Sequence, residues 1–232
     1  MLKAGRVKSS IAKMCKTGKE RFMKFTEKLL KHPEFLRLQK RVQQIEQERI
    51  YCHHELSHAL DVCRMAWMMY LEERIQENLR DRSVAATKND FRIETKNDSG
   101  LEAVSKNKLE TAENRKAEYI ANICEKKDQF YVTGLLHDIG RVAQYETGEH
   151  HSEAGVRIAK QLLSEIGYPS EWMVETLQIV GVHHGREEAK EESGTMEYYI
   201  RRADHLSRNC FLCEAADSCK WSDTERNQTI KW

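Results

Sequence analysis

The stretch Leu135-Leu136-His137-Asp138-Ile139-Gly140, written LLHDIG, sets a histidine and an aspartate side by side at the end of an apolar run that includes Phe130, Tyr131 and Val132. Burying an imidazole or a carboxylate without a partner costs roughly 1–3 kcal/mol or more. Two ligand-grade residues at such a place therefore require compensation, either hydrogen bonds from a second helix or direct ligation of a divalent cation. The run reads as the end of a helix, with Gly140 as the residue that stops it.

Working outward, the pattern stays helical. Upstream, residues 8–30 and 34–50 read as two amphipathic helices broken at His32-Pro33, since proline disfavours a helical conformation at its predecessor. A third helix starts near Tyr51; its apolar positions Leu56, Leu60, Cys63, Trp67 and Tyr70 step by four, three, four and three. His54 and His58, four apart, share a flank of that helix and can point at a common atom. Between residues 72 and 118 the composition turns to Lys, Arg, Glu, Asp, Asn and Ser with few large apolar side chains, which reads as a mobile, disordered insertion. Downstream of LLHDIG, Ser152 and Ser170 stand where helix caps are expected, Gly167-Tyr168-Pro169 marks a stop, and a last helix runs from about Thr195 to Arg208.

Composition agrees with an all-α fold. Among 232 residues there are two prolines and eleven glycines, few turn-formers for a sheet protein. The net charge of +1 offers no global field for nucleic acid. Residues 1–41 nevertheless carry thirteen Lys/Arg against three Glu, a local +10, and residues 1–25 within them read as a basic N-terminal extension. No stretch reaches the roughly 20 apolar residues of a membrane span, and the first residues lack the apolar centre of a signal peptide. The expectation is a cytoplasmic protein whose seven cysteines are mostly reduced thiols or metal ligands.

The candidate ligands are His54, His58, His137, Asp138, His151, His183, His184 and Asp204, nearly all at a helix end or on an apolar flank. Imidazole and carboxylate without obligatory thiolate suit Mn, Fe, Co, Ni or Zn. The order His58, then His137-Asp138, then Asp204 resembles the H…HD…D signature of the HD-domain superfamily of metal-dependent phosphohydrolases. Three blocks carry the likeness: HALDVCRMA at His58, GLLHDIGR at His137 and RRADHLSR at Asp204, spanning roughly residues 50–210. The resemblance implies a helical HD domain, placed here at residues 26–225, with His58, His137, Asp138 and Asp204 holding a first metal. It also implies a second ion on His151 and on His183 or His184, with Asp138 bridging, and this two-ion arrangement is preferred to a one-ion site. The chain departs from the pattern in two ways. The 79-residue spacing from His58 to His137 is long, which the insertion explains, and the residues after His183-His184 lack the GYP of the cyclic-dinucleotide phosphodiesterases.

The resemblance implies hydrolysis of a phosphoester or phosphoanhydride, of a nucleotide in particular, with a small phosphorylated molecule as the partner, while no membrane or specific nucleic-acid partner is evident. A divalent ion lowers the pKa of its water from about 15.7 towards 7 and polarises the phosphoryl oxygen. Asp138 and Arg141 are the catalytic candidates; Arg141, Arg202 and Arg208 offer guanidinium forks matched to phosphate oxygens. The same fold leaves open a di-iron oxygenase and a nucleotide-sensing module without turnover. Beyond Asp204 lies Cys210-x2-Cys213-x5-Cys219. With Cys52, which precedes His58 by the six residues that separate Cys210 from Asp204, these cysteines form a second thiolate site for structural zinc or an iron–sulfur cluster, or else remain reduced thiols.

Overall fold

The computed structural model describes residues 23–89, 101–182 and 194–230. The expected helix over residues 8–22, the centre of the insertion at 90–100, and both His183 and His184 lie outside them. The elements are α1 (Lys24–Leu30), α2 (Pro33–Ile45), α3 (Leu56–Asn89), α4 (Leu101–Leu136), α5 (Arg141–Thr147), α6 (His151–Glu165), α7 (Ser170–Val182) and α8 (Met196–Leu206), followed by two 3-10 turns at Cys210–Leu212 and Ala216–Ser218. Among the described residues there is no strand, as the all-α expectation required. No helix among them is long and apolar enough to cross a membrane.

Of the described residues, 24–73 and 128–230 form one compact unit, while 23, 74–89 and 101–127 belong to another. In the second unit the flanks of the charged insertion continue as helix to Asn89 and resume at Leu101. Arg74 pairs with Glu77 at 2.6 Å one turn on, and Asn78 Nδ2 donates to the Arg74 carbonyl. Lysine, glutamate, arginine and alanine are good helix formers without a buried face, so a polar composition removes the apolar stripe and not the helix.

The first unit carries the core. Pro33 opens α2, where its missing N–H is no loss, and His32 before it is extended (φ −73°, ψ 124°). The buried stripe of α3 is Ala59, Val62, Cys63, Ala66 and Trp67, so the helix is rotated from the expected register and Leu56, Leu60 and Tyr70 are only half-buried. The small residues let α4 come close: a Cβ on Gly134 would lie 2.6 Å from Cys63 Sγ. Phe25, Leu29, Phe35, Leu38 and Val42 from α1 and α2 pack with Val132, Leu135, Leu136, Leu162, Leu163 and Val180 into one cluster. Each such side chain taken fully out of water contributes about 1.5–3 kcal/mol. Asp128, itself buried, fastens α1 by accepting the backbone N–H groups of Phe25 and Thr26 at 2.8 Å each and the Thr26 hydroxyl at 2.6 Å.

Helix ends decide where the site residues stand. Gly167 (φ +69°) ends α6 as expected, with Tyr168 N–H donating to Leu163 O and Gly167 N–H to Ser164 O, a Schellman closure. Thr195 caps α8, accepting from Tyr198 N–H at 3.2 Å. The two serine caps are corrected. Ser152 lies inside α6, whose N-cap is His150, and Ser170 is already the first residue of α7. Gly140 is corrected as well. α4 ends at Leu136, residues 137–140 form a turn, and Gly140 has an ordinary helical φ of −79°. What requires glycine is space, because a Cβ there would overlap the His151 carbonyl and lie 2.5 Å from Gly155 N.

Candidate metal centre

Three elements of the first unit bring the ligands together. On α8 the buried positions Met196, Tyr199, Ile200, Ala203 and Asp204 follow the three-four spacing of a core stripe, so Asp204 is carried inward as its last member. Tyr199 holds this face by donating its hydroxyl to Glu73 of α3. His58 stands on the first turn of α3, one turn before buried Val62. His137 and Asp138 stand in the turn after α4, both buried.

Their donor atoms converge. His58 Nε2 lies 3.3 Å from Asp204 Oδ1 and 4.0 Å from Asp138 Oδ2, while His137 Nε2 lies 3.2 Å from Asp138 Oδ2 and 3.9 Å from Asp204 Oδ1. Donors of one coordination sphere, at about 2.0–2.2 Å from an ion, sit roughly 3–3.5 Å apart. Among the described residues, His58, His137 and Asp204 are the group whose donor atoms all lie within 4.8 Å of one another. The residues fit a divalent cation in donor chemistry as well. His137 Nδ1–H donates to the Gly134 carbonyl at 2.6 Å, which leaves the Nε2 lone pair facing the centre. Ser207 donates its hydroxyl to Asp204 O at 2.9 Å, so it accepts from His58 Nδ1–H at 3.4 Å and orients that ring the same way.

Charge is arranged to match. Burial opposes a charged His137 ring, yet Asp138, Asp204 and the Gly134 carbonyl raise its pKa to about 9. Burial likewise opposes ionisation of Asp204, but the His58 hydrogen bond, the His137 charge and Arg208 outweigh it and hold the carboxyl far below its usual range. Two carboxylates between two imidazoles form a site for positive charge, and a cation entering it displaces the His137 proton.

The cluster opens into a cavity of about 340 Å³ whose lining includes Arg49, Tyr51, His54, His58, Arg141, Asp204, Arg208, Lys220 and Trp221. Arg208 reaches Asp204 Oδ2 at 3.6 Å, stacks 4.4 Å over the Trp221 ring, and keeps Nη1 buried without a hydrogen-bond partner. Arg141 lines the cavity too, but its Nε donates to Asp138 Oδ1 at 2.8 Å, so it positions that carboxylate. Other expected residues are placed elsewhere. Arg202 is exposed beside the Tyr198 ring, outside the cavity lining. His54 precedes α3, so it does not share a helical flank with His58; its Nδ1 pairs with Glu46 at 2.6 Å, although its ring still borders the cavity. Glu46 also accepts the Tyr145 hydroxyl at 2.5 Å. His151 is buried at the start of α6, with its backbone against Gly140, and is not part of the compact donor group. Arg49, Tyr51, Lys220 and Trp221 were not legible in the sequence, since no spacing rule links residues 49–51 to residues 220–221.

The comparisons agree with this geometry. The family described as the HD domain matches residues 112–209, a span that contains His137, Asp138 and Asp204 and begins after His58. A Clostridium beijerinckii protein named only as uncharacterized is 28% identical over 204 residues, covering 87% of this chain and 95% of that protein. No solved structure matches the chain. The HD-domain match and the clustered histidines and aspartate together mark the chain as an enzyme, with a site typical of metal-dependent phosphohydrolases.

Proposed function

We propose that this HD-domain enzyme hydrolyses a phosphoester or phosphoanhydride bond of a nucleotide-like substrate. The observation that carries the reading is the His58, His137, Asp138 and Asp204 cluster opening into a cavity lined by Arg49, Arg141, Arg208 and Lys220. His58 Nε2, His137 Nε2, Asp204 and the inner oxygen of Asp138 would hold a divalent cation. When bound, such an ion supplies an acidified water near neutral pH and polarises a phosphoryl oxygen.

The chain's own residues do the rest. Arg208, with Nη1 lacking a partner, and Lys220 receive the phosphate oxygens, while Arg141 keeps the second oxygen of Asp138 occupied and its first turned inward. The Trp221 and Tyr51 rings supply an aromatic wall suited to a nucleobase, which supports a nucleotide over a simple phosphate ester. A second ion is part of this proposal. His151 packs its backbone directly on Gly140, two residues from Asp138, and is buried there. The test is a panel of nucleoside mono-, di- and triphosphates, dinucleoside polyphosphates and simple phosphate esters, assayed with Mn, Fe, Co, Ni and Zn in turn. Metal-dependent release of phosphate or a nucleotide is expected, and absence of turnover on every member with metal bound refutes the proposal.

A further inference from the structure

Beside the metal centre lies a second cavity of about 430 Å³, and Cys52, Cys210, Cys213 and Cys219 all line it. One comes from the segment before α3, and three lie at the start of the first 3-10 turn after α8 or directly after each of the two turns, so residues more than 150 positions apart meet there. All four are free thiols and partly buried. Their proximity is felt at Cys52: burial raises its pKa and the other three cysteines raise it further, against the pull of Arg208.

The segment that supplies three of these thiols has little apolar burial of its own to hold it folded. Between Arg208 and Ile230 the one buried residue is Asn227, and Leu212 is 74% exposed. Asn227 Nδ2 donates to the carbonyls of His205, Leu206 and Arg208, and the Tyr51 hydroxyl donates to Ser218 O at 3.2 Å. Polar contacts of this kind leave little apolar burial to offset the entropy of ordering more than twenty residues. Small segments without a core are commonly stapled by metal. The geometry also bears on which metal. Thiolates on a single zinc lie about 2.3 Å from it, hence roughly 3.8 Å from one another. No three of these sulfurs lie within 4.8 Å of one another. An iron–sulfur cluster spreads its four thiolates more widely, with the cluster between them.

We propose that Cys52, Cys210, Cys213 and Cys219 together form a second, four-thiolate metal centre of iron–sulfur-cluster size, which staples the C-terminal segment against the start of α3. Each thiol gives up its proton to solvent on ligation. Cys52 and Cys219 line both cavities, so the staple also fixes the wall that carries Lys220 and Trp221.

The full chain purified without oxygen is to be analysed for iron, acid-labile sulfide and zinc, with its visible absorption recorded, as wild type, Cys52→Ser, Cys213→Ser and Asp138→Ala. Iron with sulfide and a visible charge-transfer band is expected in wild type and Asp138→Ala, falling by about tenfold or more in both cysteine variants. As a check independent of the variants' folding, thiol titration of native wild type should find these four cysteines protected in addition to the core thiol Cys63, and mercurial release of those four should release the metal. Zinc alone on the four thiols overturns the cluster. Ready reactivity of Cys52, Cys210, Cys213 and Cys219 in the native protein, or metal and sulfide unchanged in both cysteine variants, overturns the site.

Discussion

Replacing Gly140 by alanine puts a methyl group where the backbone of α6 already lies. The new Cβ would overlap the His151 carbonyl oxygen, with Gly155 N at 2.5 Å and the His151 carbonyl carbon at 2.9 Å. Restoring ordinary contact means that the start of α6 retreats by about 1 Å. Backbone cannot swing aside as a side chain can, so the cost sits at the upper end for overpacking, about 3 kcal/mol. For a chain of this size each kcal/mol lowers Tm by roughly 2–4 °C, so Gly140→Ala should melt about 6–12 °C lower. Gly155→Ala is the control. Its Cβ would meet the Val180 side chain at 3.1 Å, a few tenths of an ångström too close and to a side chain, where Gly140 meets backbone, so at most about 1 kcal/mol and a few degrees are expected. Calorimetry or circular dichroism on the three proteins measures this directly. The reasoning fails if Gly140→Ala melts within about 2 °C of wild type, or no lower than Gly155→Ala.

Four further outcomes follow from the site. Asp138→Ala should lose the histidine-bound metal and turnover together, read by elemental analysis and the phosphate assay; full activity with metal retained refutes its role. Arg208→Ala should lower kcat/KM by roughly 10–100-fold, the range for losing a hydrogen bond to a charged group, mainly through KM, and an unchanged KM removes Arg208 from substrate binding. His151→Ala should reduce the metal held at the histidine centre from two ions per chain to one, and equal stoichiometry in both proteins leaves a one-ion site. Glu46 sets an acid limb. Burial alone would raise its pKa, but His54 and the Tyr145 hydroxyl lower it from 4.5 to about 2. A depressed carboxyl stabilises the fold fully above 4.5 and loses that contribution as pH falls towards 2, a term on the order of 2–3 kcal/mol. Melting curves from pH 7 to pH 3 should therefore fall less steeply for Glu46→Gln than for wild type, and parallel curves refute the assignment.

Features that depend on neighbours along the chain could be read from the residues alone. Three-four spacing set the helical class, Pro33, Gly167 and Thr195 set helix limits, and the order His58, His137-Asp138, Asp204 pointed to the candidate metal ligands. Asp204 was legible because it occupies the last position of an apolar stripe, a local fact. Where local reasoning failed, two segments distant in sequence had met. Leu56, Leu60 and Tyr70 gave way to Ala59, Val62 and Ala66 on the buried face because small residues allow α4 to approach at Gly134. His54 went to Glu46, and Arg202 stayed outside the cavity. Gly140 fits any helical turn by its own backbone angles, so only the packed α6 backbone reveals why it is glycine. Asp128 holds the start of α1 from about a hundred residues away, and Arg49 with Trp221 encloses the cavity. Periodicity and capping are written in bonds between near neighbours. Which side chains then face one another across a core or a cavity is settled by packing, and no spacing along the chain encodes it.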